Sequence, residues 1–434
     1  MGKNKEKRKI IIYKCYSSAV NYIHDIRMLG YEPVLLEPFI EDEAKRIEMH
    51  DDYTSNYKFN GDICPEVIME KPTYEEALEM IKEINPILIL PGADNALWLC
   101  MKVSGDLGLK SNSLENYMPM RDKYHMQKAL KEADLKSMDT VILHSEDEAL
   151  SFFISHKGKK VVLKPTEGAA TAGVHICDSA EQVKVVYKVL EKLINDRERD
   201  GETVVGQVFY EGPEYAIDTI SCEGNHVVLY GWKYKKKVIP LFGTIYDQTI
   251  YISPDKEEYT EIIEYVFNVL DAIGIKYGAV HTEVIVTDDG PVLVEVNCRP
   301  GGGFQKYTYQ DKIMFEHETK VSLDSYLMEP CDFLKKYPEK MPLKQPGIQK
   351  DIILDRDIYV EKVTITEACR NLPSFEYAID NGAQLHYAKT IDFETNGGTI
   401  FLTDSDERQI QKDLEYIYDL EKNHLELLYQ YRDI

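Results

Sequence analysis

Two glutamates and an asparagine recur at close spacing in the run His281-Thr-Glu-Val-Ile-Val-Thr-Asp-Asp-Gly-Pro-Val-Leu-Val-Glu-Val-Asn-Cys-Arg. Two alternating stretches flank Asp288-Asp289-Gly290, and a three-residue hairpin loop wants a left-handed third residue, which Gly290 supplies. That loop pairs Thr287 with Pro291, and therefore Glu283 with Glu295 and His281 with Asn297. Directly paired residues share a face. Two carboxylates about 4 Å apart repel by roughly 4 kcal/mol at an effective dielectric near 20. A hard divalent cation with oxygen ligands from Glu283, Glu295 and Asn297 removes that repulsion, and Mg²⁺ sites typically combine one or two carboxylates with substrate phosphates. A solvated sheet face with a Lys near each Glu explains the same residues, and a two-residue loop would put the glutamates on opposite faces.

Phosphate chemistry has its own candidates. Val161-Val-Leu-Lys-Pro-Thr-Glu-Gly-Ala-Ala-Thr-Ala-Gly places Lys164 at a strand end before a small-residue loop. Such a loop lets backbone N–H groups approach phosphate oxygens, and the Lys adds a point charge. It is no Walker A, since no Gly-Lys-Ser/Thr follows. Lys123 opens a helix just upstream, where a solvated surface Lys is the plain alternative. Gln207-Val-Phe-Tyr-Glu-Gly-Pro-Glu links two strands, whose edge can offer backbone groups to a purine while Glu214 accepts from ribose hydroxyls. A plain β-connection turning at Gly212-Pro213 accounts for it equally.

The elements that must position these residues follow from periodicity. Lys9–Lys14 reads as a strand, Ser18–Leu29 as a helix and Pro33–Leu36 as a second strand, a parallel crossover unit. Tyr74–Ile84 reads as a helix and Pro86–Leu90 as a buried strand. Asp94 is placed to cap a helix running to about Leu107. This is an open α/β domain over about 115 residues, without a G-x-G-x-x-G fingerprint. Helices are expected at Asp122–Ala133, Ala180–Ile194, Glu257–Ile273 and Asp406–Tyr429. Strands are expected at Lys160–Lys164, Thr203–Phe209, Glu214–Ser221, Val227–Trp232, Ala279–Thr287 and Pro291–Asn297, then near Tyr359–Ile365, Ala383–Ala388 and Gly398–Leu402. Glu167–Val174 is a small-residue loop, and the Lys run that opens Lys233–Gln248 reads as a basic solvated strand.

Composition removes several function classes. The chain has 434 residues, 51 Lys+Arg against 75 Asp+Glu and a net charge of −24. That balance opposes a phosphate-backbone partner, so no nucleic acid is expected. No apolar stretch approaches the length of a membrane span. The basic start precedes an apolar run, Ile10–Tyr13, too short for a secretory signal, and Glu6 stands where a myristoylation signal needs Ser or Thr. The eight cysteines form no C-x-x-C pair and read as free thiols. A cytoplasmic protein is therefore expected.

In this order, the pieces resemble the ATP-grasp superfamily of carboxylate–amine ligases over about residues 1–320. The resemblance implies a mixed α/β and α+β fold: an N-terminal open parallel-sheet (pre-ATP-grasp) domain at 1–115, a two-subdomain ATP-grasp domain at 116–327 with a mobile lid at about 140–206, and a C-terminal α+β subdomain at 328–434. It implies that Lys123 and Lys164 contact ATP phosphates, that Glu167–Gly173 covers them (Glu167, Gly168 and Ala169 among its residues), and that Gln207, Val208 and Tyr210 face adenine. It implies Glu214 at the ribose, and Glu283, Glu295 and Asn297 as ligands of Mg²⁺, two ions or Mn²⁺ in their place. Arg299 matches an Arg facing the substrate carboxylate or acyl phosphate. Gln207 departs from a frequent Glu, and Ala169-Ala170 from Gly or Ser. His281-Thr-Glu and Glu295-Val-Asn-Cys-Arg look most like the L-amino-acid ligase (dipeptide synthetase) branch, whose relatives are often homodimers through the N-terminal domain.

The chemistry so implied turns a carboxylate, an amino acid, into an acyl phosphate at the expense of ATP, and an amine then displaces phosphate. His281 is the candidate base in reach of the site, although a His lining a metal site more often positions than transfers protons. Two alternatives stand beside this reading. Carboxylation through carboxyphosphate keeps the fold, but the chain lacks a biotin-carrier Met-Lys-Met motif and its tyrosine-rich loops suit an organic substrate. A non-catalytic ATP-binding regulator would have no need to retain Glu283, Glu295, Asn297 and Arg299 together.

Overall fold

The structure is a computed structural model and describes residues 7–42, 61, 63–156, 158–166, 173–197, 203–239, 243–354, 358–379 and 397–433. The expected strand at Ala383–Ala388 and the loop residues Glu167, Gly168 and Ala169 lie outside the described residues.

The N-terminal layer is a parallel sheet of order β3-β2-β1-β4, with β1 Lys9–Tyr13, β2 Glu32–Glu37, β3 Glu66–Met69 and β4 Pro86–Pro91. Ile10, Ile11 and Ile12 are fully buried, as a central strand covered on both faces requires. The helix Tyr74–Ile84 begins where the Thr73 hydroxyl accepts from the Glu76 N–H and ends at Asn85 in the left-handed region. The Ser18–Leu29 stretch is tighter than its periodicity implies, a 3₁₀ turn at Ser17–Val20 leading into the helix Asn21–Met28. Asp94 does not cap its helix: Ala93 precedes a 3₁₀ turn, and the helix proper is Leu97–Leu107. The Asp94 carboxylate is engaged elsewhere, as shown below.

A small antiparallel sheet, β5-β8-β6-β7, comprises β5 Thr140–Leu143, β6 Val161–Pro165, β7 His175–Cys177 and β8 Val204–Val208. Helices Glu146–Ser155 and Ala180–Arg197 pack on it through Phe152, Val183, Tyr187 and Leu190.

The large sheet has eight strands in the order β13-β12-β9-β10-β11-β14-β17-β16. These are β9 Glu214–Cys222, β10 Asn225–Ile239, β11 Gly243–Ile252, β12 Tyr277–Thr287, β13 Gly290–Asn297, β14 Gly347–Asp351, β16 Phe375–Ile379 and β17 Thr399–Thr403. The strand expected to stop at Trp232 continues to Ile239, because the basic run pairs with β11. The C-terminal helix is also shorter than its pattern suggests. It runs Glu407–Asn423 and stops at His424, and Tyr429–Asp433 becomes strand β18, paired with β15 (Ile358–Val363). Tyr429 is fully buried there, which a solvated helix end would not achieve.

The β12–β13 hairpin differs in detail from expectation. Gly290 is left-handed (φ +97°), yet it pairs with Thr287, and Val286 rather than Thr287 faces Pro291. That register alone would turn the glutamates to opposite faces. A β-bulge between Glu283 and Val284 restores them: Val284 pairs with Leu293, Val294 is skipped, and Glu283 pairs with Glu295 and His281 with Asn297. Packing explains the bulge. Leu293 and Val296 both enter the core against Val266, Leu270 and Ile273 of the helix Thr260–Ile273, and residues three apart share a face only if a strand is interrupted. The groups freed at Leu293 are satisfied from outside the ladder, its N–H by the Tyr265 hydroxyl at 3.0 Å and its carbonyl by Gln127 Nε2 at 2.8 Å.

Candidate active site

Cross-strand register lines one face of the large sheet with functional groups. Glu295 pairs with Glu283, Glu283 with Ala216, Ala216 with Trp232 and Trp232 with Tyr251. One step along the strands, Asn297 pairs with His281 and His281 with Asp218.

Lys123 and Lys164 reach this face from the preceding elements. Lys123 opens the helix Lys123–Glu132, capped where Asp122 Oδ1 accepts from the His125 N–H at 2.9 Å. The solvated alternative fails for it, since Lys123 is 7% exposed and its Nζ lies 2.8 Å from Glu295 Oε2. Asn297 Nδ2 donates to Glu295 Oε1 at 3.3 Å. Burial alone would raise the Glu295 carboxyl, but Lys123 and then Lys164 hold it down at about 2. Lys164 is the next-to-last residue of β6 and is buried. Desolvation, then the positive charge of Lys123, lowers its ammonium to about 8 against the opposing pull of Glu295, Glu283 and Glu214. Two lysines and three carboxylates are thus brought into one electrostatic neighbourhood.

Glu214 is held by a lysine that the sequence reading left as part of a basic strand. Lys236 Nζ donates to both Glu214 oxygens, at 2.7 and 2.6 Å, and lies 4.5 Å from the Tyr246 ring centroid. Burial raises the Glu214 carboxyl while Lys236 opposes it. Gln207 is buried in β8 and its Nε2 donates to Thr140 Oγ1 at 2.9 Å. The Val208 N–H is taken by the Asp139 carbonyl at 3.2 Å. Tyr210 is half-buried beside the core of the small sheet.

Arg299 is fixed by a residue that follows β4 of the N-terminal sheet. Its Nε and one terminal nitrogen each lie 2.9 Å from Asp94 Oδ2, and its other terminal nitrogen donates to the Pro300 carbonyl at 3.0 Å. That is the employment of Asp94 that sequence periodicity mistook for a cap. The turn after Arg299 is seated on buried acids. The Gly301 N–H meets both oxygens of Glu318 at 3.1 Å, and a Cβ at Gly301 would lie 2.8 Å from Asp218 Oδ1, so no larger residue fits. Burial, with the Asp218 charge nearby, pushes the Glu318 carboxyl up to about 8. His281 Nδ1 bonds Asp218 at 3.0 Å, and its Nε2 lies 3.4 Å from Glu283 Oε1. Desolvation would lower the imidazole, but Asp218 and Glu283 together raise it to about 10, so it stays protonated near neutrality.

Sequence reasoning therefore missed Asp94, Lys236, Asp218, Glu318 and Trp232. Asp218 was legible as the one charged residue in the interior of β9, and Glu318 had no signal. Among the described residues the one compact group of three or more His, Cys or acidic side chains is Asp311, Glu316 and His317. There His317 bonds Asp311 through Nδ1 and Asp25 through Nε2, each at 2.7 Å, and both charges raise it to about 10 against burial. With a proton on each nitrogen it has no lone pair for a metal. All eight cysteines are free. No helix among the described residues is long and apolar enough to cross a membrane.

Known proteins resemble this chain in sequence and in fold. Residues 158–307 match the family described as the ATP-grasp domain. Dapdiamide A synthase of Enterobacter agglomerans is 26% identical over 336 residues, spanning 76% of this chain and 75% of its own. An L-arginine-specific L-amino acid ligase of Bacillus subtilis is 23% identical over 197 residues, 45% of this chain and 47% of its own. The crystal structure of an L-amino acid ligase from Bacillus licheniformis superposes with a TM-score of 0.72 at 18% identity, covering 96% of this chain and 98% of that one. Residues 158–307 therefore match an ATP-grasp domain, and the chain shares its overall fold with the L-amino acid ligase structure.

Proposed function

We propose that this protein joins a carboxylate, an amino acid, to an amine through an acyl phosphate, releasing ADP and phosphate. The observation that carries the proposal is the cross-strand Glu283–Glu295 pair with Lys123 and Lys164 converging on it. The substrate carboxylate attacks the γ-phosphate, and the amine then expels phosphate from the acyl phosphate. Lys123 and Lys164 bind the ATP phosphates, Glu214 the ribose, and Gln207, Val208 and Tyr210 the adenine. Lys236 has to give up Glu214 when the ribose arrives. Arg299, clamped by Asp94, offsets the charge on the acyl phosphate, and its fixed fork spares reorganisation at the moment of reaction. Water has to be kept from the acyl phosphate, which it would hydrolyse.

Glu283, Glu295 and Asn297 are hard oxygen donors on one face and fit Mg²⁺, as two ions, or Mn²⁺. Bound there, the metal would neutralise phosphate charge and align the phosphates for in-line transfer. His281, protonated and anchored on Asp218, is a positioning residue in this reading rather than the base that deprotonates the amine. The protein acts in the cytoplasm on small molecules, as a homodimer, and light scattering of the purified chain tests the latter.

The deciding experiment follows ADP, AMP and phosphate released from ATP and Mg²⁺ with pairs of amino acids, with Glu295→Gln as control. Amino-acid-dependent ADP that is lost in the variant supports the proposal. AMP refutes the acyl phosphate, and ADP that depends on bicarbonate instead selects the carboxylation alternative.

A further inference from the structure

The indole Nε1–H of Trp232 is buried with no acceptor among the described residues, and the side chain is 5% exposed. Indole nitrogen can only donate, so a partner must bring an acceptor oxygen. Buried N–H groups are rarely left orphaned without a functional reason. Trp232 stands in the same cross-strand row as Glu283 and Glu295, two strands from Glu283, which at the strand spacing is about 10 Å. Its ring lies edge-on to His281 at 5.1 Å, and a Cβ at Gly301 would lie 3.5 Å from its Cη2, so it sits between the imidazole and the turn that follows Arg299. Of the groups beside it, the Tyr234 hydroxyl is a second donor, whereas His281 spends its nitrogens on Asp218 and Glu283. The Tyr234 hydroxyl and His281 Nε2 lie 3.3 Å apart, and Tyr234 packs 6.1 Å from the indole. The acceptor oxygens that every α-amino acid can offer this N–H are those of its carboxylate, and the nearby Asp218 is already paired with His281.

We propose that Trp232 is a substrate-binding residue whose Nε1–H donates to the carboxylate of an α-amino acid held over the Glu283–Glu295 row. The assignment rests on the amide-forming reading above and adds to it the group that recognises the amino acid.

The chain has two tryptophans, Trp98 and Trp232, and Trp98 is exposed on the N-terminal domain. In the full-length Trp98→Phe protein, indole emission comes from Trp232 alone. The probes are the amino acids of the ligation panel and, for each, the amine lacking the carboxyl group. A saturable emission change with amino acids and none with the matched amines is expected. In the otherwise unaltered chain, Trp232→Phe should raise the amino-acid KM about tenfold, the value of one hydrogen bond, with the ATP KM within about twofold. A merely structural indole would not split the two KM values in this way. An unchanged amino-acid KM in a folded Trp232→Phe protein overturns the assignment. So does a flat emission titration across the panel, which decides alone if the variant does not fold. Failure of the wild-type protein to release ADP with any amino acid overturns the ligase reading separately, and the emission titration still decides Trp232.

Discussion

Replacing Glu295 by Gln tests whether the carboxylate row is built as described. Lys123 Nζ lies 2.8 Å from Glu295 Oε2, with the two side chains 9% and 18% exposed. Burial would raise this carboxyl, yet Lys123 brings it from 4.5 down to about 2. At 1.36 kcal/mol per pH unit, that depression corresponds to about 3 kcal/mol of stability. The sign follows from where protons bind. The unfolded chain takes up a proton at this residue near pH 4.5 and the folded protein only near pH 2. The stabilisation is therefore complete above about pH 4.5 and is lost as pH falls toward 2. Gln cannot titrate, so the difference between wild type and Glu295→Gln isolates this group from other carboxylates. Urea unfolding of both proteins, without nucleotide or metal, should show the wild-type advantage shrinking by about 2 kcal/mol between pH 7 and pH 3. A difference that stays flat over that range refutes the Lys123–Glu295 pairing. Ligase turnover of the variant should vanish at every pH.

Four further outcomes are expected. Lys164→Met abolishes turnover yet stabilises the fold at pH 7 by up to about 3 kcal/mol, because the buried ammonium titrates near 8 instead of 10.5, and the gain closes as pH rises from about 8 through 10.5 in denaturant titrations. Asp94→Asn removes the charge from the one oxygen that accepts from two Arg299 nitrogens and should lower kcat/KM by about 10- to 100-fold while costing about 1–2 kcal/mol of stability, read by steady-state kinetics and thermal melting. Tyr265→Phe strips the hydroxyl from the Leu293 N–H at the bulge, and should cost about 1–3 kcal/mol by chemical unfolding and reduce turnover through Glu295, which the bulge aims. Glu214→Gln should raise the ATP KM by about tenfold and leave the amino-acid KM unchanged, which competition kinetics with ADP can check.

Much of the fold was legible because local rules carry it. Tyr74–Ile84 has a Thr cap, an apolar stripe and a left-handed stop, and the structure shows that helix over those residues. The parallel N-terminal sheet followed from strand–helix–strand spacing. Where local pattern misled, a distant contact had prevailed. Apolar periodicity runs past His424, but Tyr429–Asp433 gains more by pairing with Ile358–Val363 in a sheet some seventy residues away in the chain. Asp94 is an ordinary cap by position, and an Arg 205 residues further along the chain claims its carboxylate.

The sequence by itself determined which groups could meet in the site. Strand alternation and a hairpin at Asp288-Asp289-Gly290 confine Glu283, Glu295, His281 and Asn297 to neighbouring strands, and the residue types limit the chemistry to hard-cation and phosphate binding. Only the tertiary structure decided that they face one another. The hairpin register alone would have turned the glutamates apart, and the bulge that turns them back exists because Leu293 and Val296 must both pack on the helix Thr260–Ile273 while Gln127 and Tyr265 satisfy the freed backbone. Likewise the partners Asp94, Asp218, Lys236 and Glu318 are contributed by segments up to about two hundred residues away in the chain. A side chain's protonation and aim depend on what is packed against it, and that is a property of the folded core rather than of any local stretch.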